Sequence, residues 1–372
     1  MDGQISTEGQ GGDKFIPGLS DEIVLEHIAT KVSWRTLFVL ASVSRAWRRA
    51  IHEREVYNVR MRTDSGQILV AFSLDCNRQQ GFYDLEQRFR VELPPLPRLP
   101  YSRPGNIQPA VGAVMLDGKL FVLGDFCFGL ESGGNSRRDL HVLDLGACRL
   151  RWKPCSSTRI HSSTSLRVAC DGKIYAFSMR EPFIRGEVFD PEKDEWSRIV
   201  DEPLNVCKIS AYDGRVASLN KEIYVSKSFG EKLMVFNCTT EKWREVKNTI
   251  PNKKSVSWVV MDGKLYNLSS SSVDVYDPVS NTWASIQPIF YENFKQDLAI
   301  TPYPIAAAPF GKEFLALLEH DIAFPDGSFR KLCKSVGLGL QGCPLVWEIL
   351  PCPDLQISLN KHDSFLLGSI VL

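Results

Sequence analysis

Two stretches of the chain decide its fold. One reads Ala169-Cys-Asp-Gly-Lys-Ile-Tyr-Ala176 and, further on, Glu187-Val-Phe-Asp-Pro-Glu-Lys-Asp-Glu-Trp196. The other reads Val260-Met-Asp-Gly-Lys-Leu-Tyr-Asn267 and then Asp274-Val-Tyr-Asp-Pro-Val-Ser-Asn-Thr-Trp283. They are one plan written twice. A third copy runs Met115-Leu-Asp-Gly-Lys-Leu-Phe-Val122, then His141-Val-Leu-Asp-Leu145, and ends at Trp152. A degraded fourth runs Leu219-Asn-Lys-Glu-Ile-Tyr-Val225, then Met234-Val-Phe-Asn237, and ends at Trp243. Weaker copies flank these, ending at Phe89 and Trp347, so the period is roughly 40–64 residues.

Each part of the repeat has a physical job. Asp-Gly permits the positive φ angles of a tight hairpin turn. The β-branched and aromatic residues after it form an inner strand, and Asp-Pro ends the third strand because Pro cannot donate to a ladder. The closing aromatic starts an outer strand and packs on the neighbouring sheet. Strand-like runs cover 67–74, 119–123, 173–177, 222–225, 264–268 and 313–318, with no long helical pattern between them. The sheets are therefore antiparallel.

Six closing aromatics (Phe89, Trp152, Trp196, Trp243, Trp283, Trp347) predict six four-stranded sheets over residues 66–372. The plan resembles the kelch motif, whose family fold is an all-β propeller. It departs from that motif where a double glycine normally ends the second strand: Gly124-Asp125, Ser178-Met179, Ser226-Lys227 and Ser269-Ser270 stand there instead. Six blades are expected, or seven if the long last unit hides one more. The first unit opens at Gln67 without a first strand of its own, and the apolar run 364–372 is expected to pair there and close the ring.

Ahead of the sheets the pattern is helical. Residues 1–13 are polar and Gly-rich, and read as a disordered tail with no secretory signal. Over 14–62 three short helices are predicted. The first has its N-cap at Ser20, with Ile23, Val24, His27, Ile28 and Val32 on one face. The second follows Ser33 and carries Leu37, Phe38, Leu40 and Ala41. The third spans 44–60 with Trp47, Ala50, Ile51, Val56 and Tyr57. So small a unit is marginal alone and gains by docking.

The segment from Phe15-Ile-Pro-Gly-Leu-Ser-Asp-Glu-Ile-Val24 through 37–40 to Val43-Ser-Arg-Ala-Trp47 resembles the F-box, with Ile16-Pro17 standing for Leu-Pro and Ser20 for a frequent second proline. Joined to kelch repeats, it looks like the plant F-box/kelch proteins. The resemblance implies a substrate-recognition subunit of an SCF (Skp–cullin–F-box) ubiquitin ligase. On that reading Ile16, Pro17, Leu37, Leu40 and Val43 face the Skp-type adaptor and Trp47 holds the helices at their angles. The adaptor sits on the complex's cullin, and the propeller binds a target protein. Residues 14–63 hold nine Lys/Arg and five Asp/Glu, which suits an acidic partner surface.

For the target, the loops after the inner strands are the candidates, since they differ most between repeats. They carry Arg137, Arg138, Arg180, Arg185 and Lys227, which would suit an acidic or phosphorylated peptide if they converge, and are solvated arginines and lysine otherwise. Two other readings remain: a kelch interaction scaffold outside any ligase, and a propeller enzyme. Against the latter, the six histidines are scattered without ligand spacing, so neither metal nor cofactor is expected. Gly337-Leu-Gly-Leu-Gln-Gly342 matches a dinucleotide fingerprint only formally, since Pro344, Pro351 and Pro353 forbid the helix it needs. Lys+Arg and Asp+Glu both total 44, which argues against nucleic acid or an anionic membrane as partner. No apolar run reaches membrane length. The ten cysteines read as reduced thiols, and the cytoplasm or nucleus as the expected location.

Overall fold

The structure is a computed structural model. It describes residues 14–32, 34–53, 55–62, 67–74, 81–84, 89–92, 94, 110–125, 139–145, 147, 150–159, 165–178, 183–203, 215–226, 233–246, 257–269, 272–286, 288–290, 303–310, 313–320, 329–336, 345–349 and 364–371. The chain divides into two compact units, one carrying the helices and one the sheets, with a boundary near residue 68.

Six antiparallel sheets follow the helices among the described residues. The first holds β1 (Gln67–Leu74), β2 (Gly81–Asp84) and β3 (Phe89–Glu92). The second holds β4 (Ala110–Leu116), β5 (Lys119–Asp125), β6 (Leu140–Asp144) and β7 (Trp152–Cys155). The third is β8 (Ser165–Cys170), β9 (Lys173–Ser178), β10 (Phe183–Asp190) and β11 (Glu195–Pro203). The fourth is β12 (Arg215–Leu219), β13 (Glu222–Ser226), β14 (Leu233–Asn237) and β15 (Lys242–Val246). The fifth is β16 (Ser257–Met261), β17 (Lys264–Leu268), β18 (Val273–Asp277) and β19 (Thr282–Ile286). The sixth runs β21 (Tyr303–Phe310), β22 (Glu313–His320), β23 (Phe329–Val336) and β24 (Leu345–Ile349), with the short β20 (Pro288–Phe290) parallel to β24 as a fifth strand. In the first sheet β25 (Ser364–Val371) takes the place beside β1.

First strands of successive sheets lie against one another, β4 to β8 to β12 to β16 to β21, as blades of a propeller do. The strand after each Asp-Gly turn is therefore second in its sheet, and the strand before the turn is the innermost. Second strands are covered on both faces by neighbouring sheets. That is why β13 and β17 are buried through four consecutive residues instead of alternating, while the outer β15 and β19 are largely exposed.

The turns follow from their residues. Asp117-Gly118, Asp171-Gly172 and Asp262-Gly263 all have positive φ at both positions. The degraded copy makes the same turn with Asn220 (φ 52°) and Lys221 (φ 60°). Lys221 therefore sits where a side chain is strained. At the far end of the third strand the acidic or amide residue, rather than the following proline, holds the turn. Asp190 Oδ1 accepts from the N–H groups of Glu192 and Lys193 at 3.1 and 3.3 Å. Asn237 Oδ1 accepts from Thr239 and Thr240 at 3.0 and 2.8 Å, with no proline present. Asp277 Oδ1 does the same for Val279 and Ser280.

The helical unit has four helices where three are expected. The first, α1 (Asp21–Ile23), starts on Ser20, whose Oγ accepts from Ile23 N–H at 3.4 Å, and continues as π-type turns over Val24–Ala29. The wider turn places Val24 and Ala29, five residues apart, on the core side, while Ile23 and His27 face out. Next come α2 (Trp34–Val43), α3 (Arg45–His52) and α4 (Glu55–Arg62). The expected third helix breaks at Glu53 because one continuous helix could not bury both Ala50 and Val56. Six residues along, Val56 would lie about 120° off the Ala50 face; the break turns both inward.

Replacing Lys221 by Gly relieves the left-handed strain. Its ion pair with Asp171 (3.1 Å, both side chains about half exposed) contributes little. We expect a net gain of about 0.5–1 kcal/mol in urea unfolding with an unchanged slope. Deleting residues 360–372 removes β25 and opens the edge of β1. That truncated chain should be insoluble; a soluble product with the parent's melting temperature would show that β25 does not close the ring.

Candidate functional site

The helical unit is organised around Trp47, which is 2% exposed and meets Phe15 edge-on at 5.0 Å between ring centroids. Ser44 starts α3 by accepting from the Trp47 N–H at 3.4 Å, so the residue that begins the helix also sets the indole's height. Val24, Ala29, Leu37, Ala46, Ala50 and Val56 complete the core. Arg48 ties α3 back to α2 by donating from Nε to Ala41 O at 2.9 Å and from Nη2 to Ser42 O at 3.2 Å.

Arg60, which the sequence reading passed over, is 1% exposed. Its Nε and Nη2 donate to Ala29 O at 3.0 and 2.6 Å, and Nη2 donates also to Val32 O. It thereby satisfies carbonyls at the end of the first helix that would otherwise be orphaned. Burial lowers its pKa to about 10, so it stays a cation at neutral pH.

The five residues expected to face an adaptor divide three ways. Pro17 and Val43 are on the surface, Val43 at 77% exposure. Ile16 and Leu40 are half-buried against the core. Leu37 is inside it, at 5% exposure, which removes it from the expected apolar strip. The cause is helical phase: Leu37 and Ala41, four apart, share the buried face of α2, and Val43 lies about 120° away from Leu37. The exposed ridge is instead Val39 (59%) with Val43, one turn apart. Leu19 and Ile23, also four apart, are exposed as well.

In the sheet unit, Arg137, Arg138, Arg180 and Lys227 lie outside the described residues. Arg185 is described, and it is in a strand, not in a loop as expected. It lies opposite a bulge in β11: Ile184 pairs with Glu202 and Gly186 with Ile199, so Val200 and Asp201 both stand across from Arg185, which pairs on its other side with Ser178 of β9. Its side chain is exposed. Gly186 is needed there, since a Cβ would meet Ile199 at 3.0 Å and Phe177 at 3.1 Å. Arg185 lines a cleft of about 680 Å³ with Arg159, Arg198, Glu187, Asp194, Glu195, Trp196, Gly186, Ser156 and Ser157. Two of its acids are engaged: Glu187 Oε2 accepts from Thr158 Oγ1 at 2.5 Å and from Arg159 N–H at 2.9 Å, and Asp194 Oδ1 accepts from Ser156 N–H at 2.8 Å. Among the described residues no three His, Cys, Asp or Glu side chains are placed to hold a metal ion, and no helix is long and apolar enough to cross a membrane.

No protein-family model matches the chain. An F-box/kelch-repeat protein of Arabidopsis thaliana is 22% identical over 243 residues, covering 63% of this chain. A second protein of that plant, named after the same two modules, is 29% identical over 107 residues, covering 26% of this chain. The chain spans 62% of the length of the first relative and 26% of the second. Against the solved structure of YjhT the TM-score is 0.43 with 11% identity, over 64% of this chain and 82% of that one. With helices ahead of antiparallel four-stranded sheets, and with these two sequence matches, the chain is a relative of the F-box/kelch-repeat proteins of plants.

Proposed function

We propose that this chain is a non-catalytic substrate-recognition subunit of an SCF ubiquitin ligase, acting in the cytoplasm or nucleus. Its helical unit docks on a Skp-type adaptor and so joins the cullin. Its sheets bind the target protein.

The observation that carries this reading is the exposed Val39–Val43 ridge on a unit whose own core is already closed around Trp47. Valines at 59% and 77% exposure contribute nothing to the unit's own packing. Covered by a partner, each would gain up to about 1.5–3 kcal/mol. Pro17 fixes the approach to the first helix and is itself exposed. The motif from Ile16 to Trp47 and the names of the relatives point to the same partner. On the sheets, Arg185 is the described candidate for target contact, because it is exposed and lines a cleft with Arg159 and Arg198. An acidic segment of the target would suit those guanidinium groups.

The test is capture of a purified Skp-type adaptor by the full chain. The double variant Val39→Asp/Val43→Asp should lose capture at least tenfold. Its Trp47 environment, read by fluorescence, should stay as in the parent because both valines lie outside the core. A wild-type chain that captures no adaptor, or a double variant that captures it undiminished, would refute the ligase reading.

A further inference from the structure

Two cysteines from different sheets meet at their sulfurs. Cys170 is the last residue of β8, and Cys238 follows β14 directly. They are 68 residues apart in sequence, yet the two Sγ atoms are 3.2 Å apart. The approach is held from both sides. Cys238 N–H donates to Lys221 O at 2.9 Å, and Asn237 beside it anchors a turn. Lys221 Nζ reaches Asp171 Oδ1 at 3.1 Å, so an ion pair spans the same two sheets next to the sulfurs.

The surroundings distinguish the two thiols. Cys170 is buried and Cys238 is half-buried. Either sulfur can donate in the contact. Once Cys238 is ionised, the Cys170 S–H and the Tyr175 O–H both donate to it. That hydrogen bond from Cys170, then that from Tyr175, lowers the Cys238 pKa, while the same contact and burial raise that of Cys170. Cys238 is thus the thiol that ionises first and the one a reagent reaches. Cys155, a further free thiol of the sheets, is pushed up to about 11 by burial and by Asp194.

We propose that Cys170 and Cys238 form a reversible disulfide, by exchange with a low-molecular-weight disulfide such as oxidised glutathione, which staples the third sheet to the fourth. Cys238 gives its proton to solvent, and its thiolate attacks one sulfur of the reagent. The reagent's S–S bond breaks, a mixed disulfide forms on Cys238, and one reagent thiolate leaves. Cys170 then gives up its proton and attacks the Cys238 sulfur, expelling the second reagent thiolate. Two protein thiols are oxidised by two electrons, and one reagent disulfide is reduced to two thiols. The bond lies where Tyr175 of one sheet already packs on Phe236 of the next, so it stiffens an existing seam.

The full chain, equilibrated in glutathione buffers of rising oxidised-to-reduced ratio, is quenched by alkylation, digested and analysed by mass spectrometry. A peptide linking Cys170 to Cys238 should appear as the ratio rises and vanish when it is lowered again. The oxidised chain should melt roughly 5 °C higher than the reduced one, because the bond closes a long loop in the unfolded state. Cys170→Ser and Cys238→Ser should each abolish both the linked peptide and the shift. The proposal fails if both cysteines are recovered alkylated at every ratio, or if Cys238→Ser keeps the melting shift.

Discussion

The sheet unit depends on one contact, repeated from sheet to sheet. An aromatic on the second strand of one sheet meets an aromatic on the third strand of the next. Phe121 meets Phe189 with centroids 6.2 Å apart, Tyr175 meets Phe236 at 6.0 Å, and Tyr224 meets Tyr276 at 5.8 Å. All three pairs are strongly inclined, at 56–65° between ring planes, which suits the ring quadrupoles. The third-strand ring lies directly across from the outer-strand tryptophan: Phe189 opposite Trp196, Phe236 opposite Trp243, Tyr276 opposite Trp283. The indole N–H of Trp152 reaches Pro94 O at 2.8 Å and that of Trp196 reaches Ser156 O at 2.7 Å, each just past the outer strand of the preceding sheet. Inner and outer seams are therefore bonded by the same few positions of the repeat. A four-stranded sheet with both faces apolar has no stable existence alone; these contacts make each sheet the missing wall of its neighbour.

That dependence explains what could be read in the sequence. The repeat is a pattern of positions that must all be right at once, so it is written plainly in the glycines, the aromatics and the Asp-Pro steps. Strand limits such as Gln67–Leu74 and Lys264–Leu268 match what alternation and turn residues alone predict. The turn chemistry was read half correctly. Proline after the third strand drew attention, but Asn237 makes the same turn without it, so the side-chain acceptor is the shared requirement. The fifth strand Pro288–Phe290 has no counterpart in the other sheets, and periodicity could not announce it.

The helical unit was harder to read for a different reason. Helical phase was counted at 3.6 residues per turn, and this small core departs from that count twice. The π-type turns over Val24–Ala29 and the break at Glu53 both rotate the face that meets Trp47. Within α2 the ordinary count holds: Leu37 and Ala41, four apart, share the buried face, so Leu37 is inside and Val39 outside. The buried Arg60 is linked to the first of these departures, since it occupies the carbonyls at the end of the altered helix. Trp47 was legible because it closes the Val43-Ser-Arg-Ala-Trp47 stretch that resembles the F-box.

Within the third strand the repeats differ most in chemical character at one position. His141, Glu187, Met234 and Asp274 stand in corresponding places, and all four are buried. The aromatics around them hardly vary, because each serves two sheets. This position serves its own surroundings, so it can change if the local polar balance is met. Asp274 is met within its own sheet, by Asn267 Nδ2 at 3.1 Å and Ser285 Oγ at 2.5 Å, and Asn267 Oδ1 accepts in turn from Trp258 Nε1 at 2.8 Å. Glu187 is met from the chain entering its sheet, through Thr158 and Arg159. His141 is held towards its neutral form by burial, against the pull of Asp139. The choice at Glu187 has a consequence beyond its own satisfaction. By holding the Arg159 N–H it fixes one wall of the cleft that Arg185 also lines. What makes this sheet different from its neighbours in the core is thus also what gives it a distinct surface.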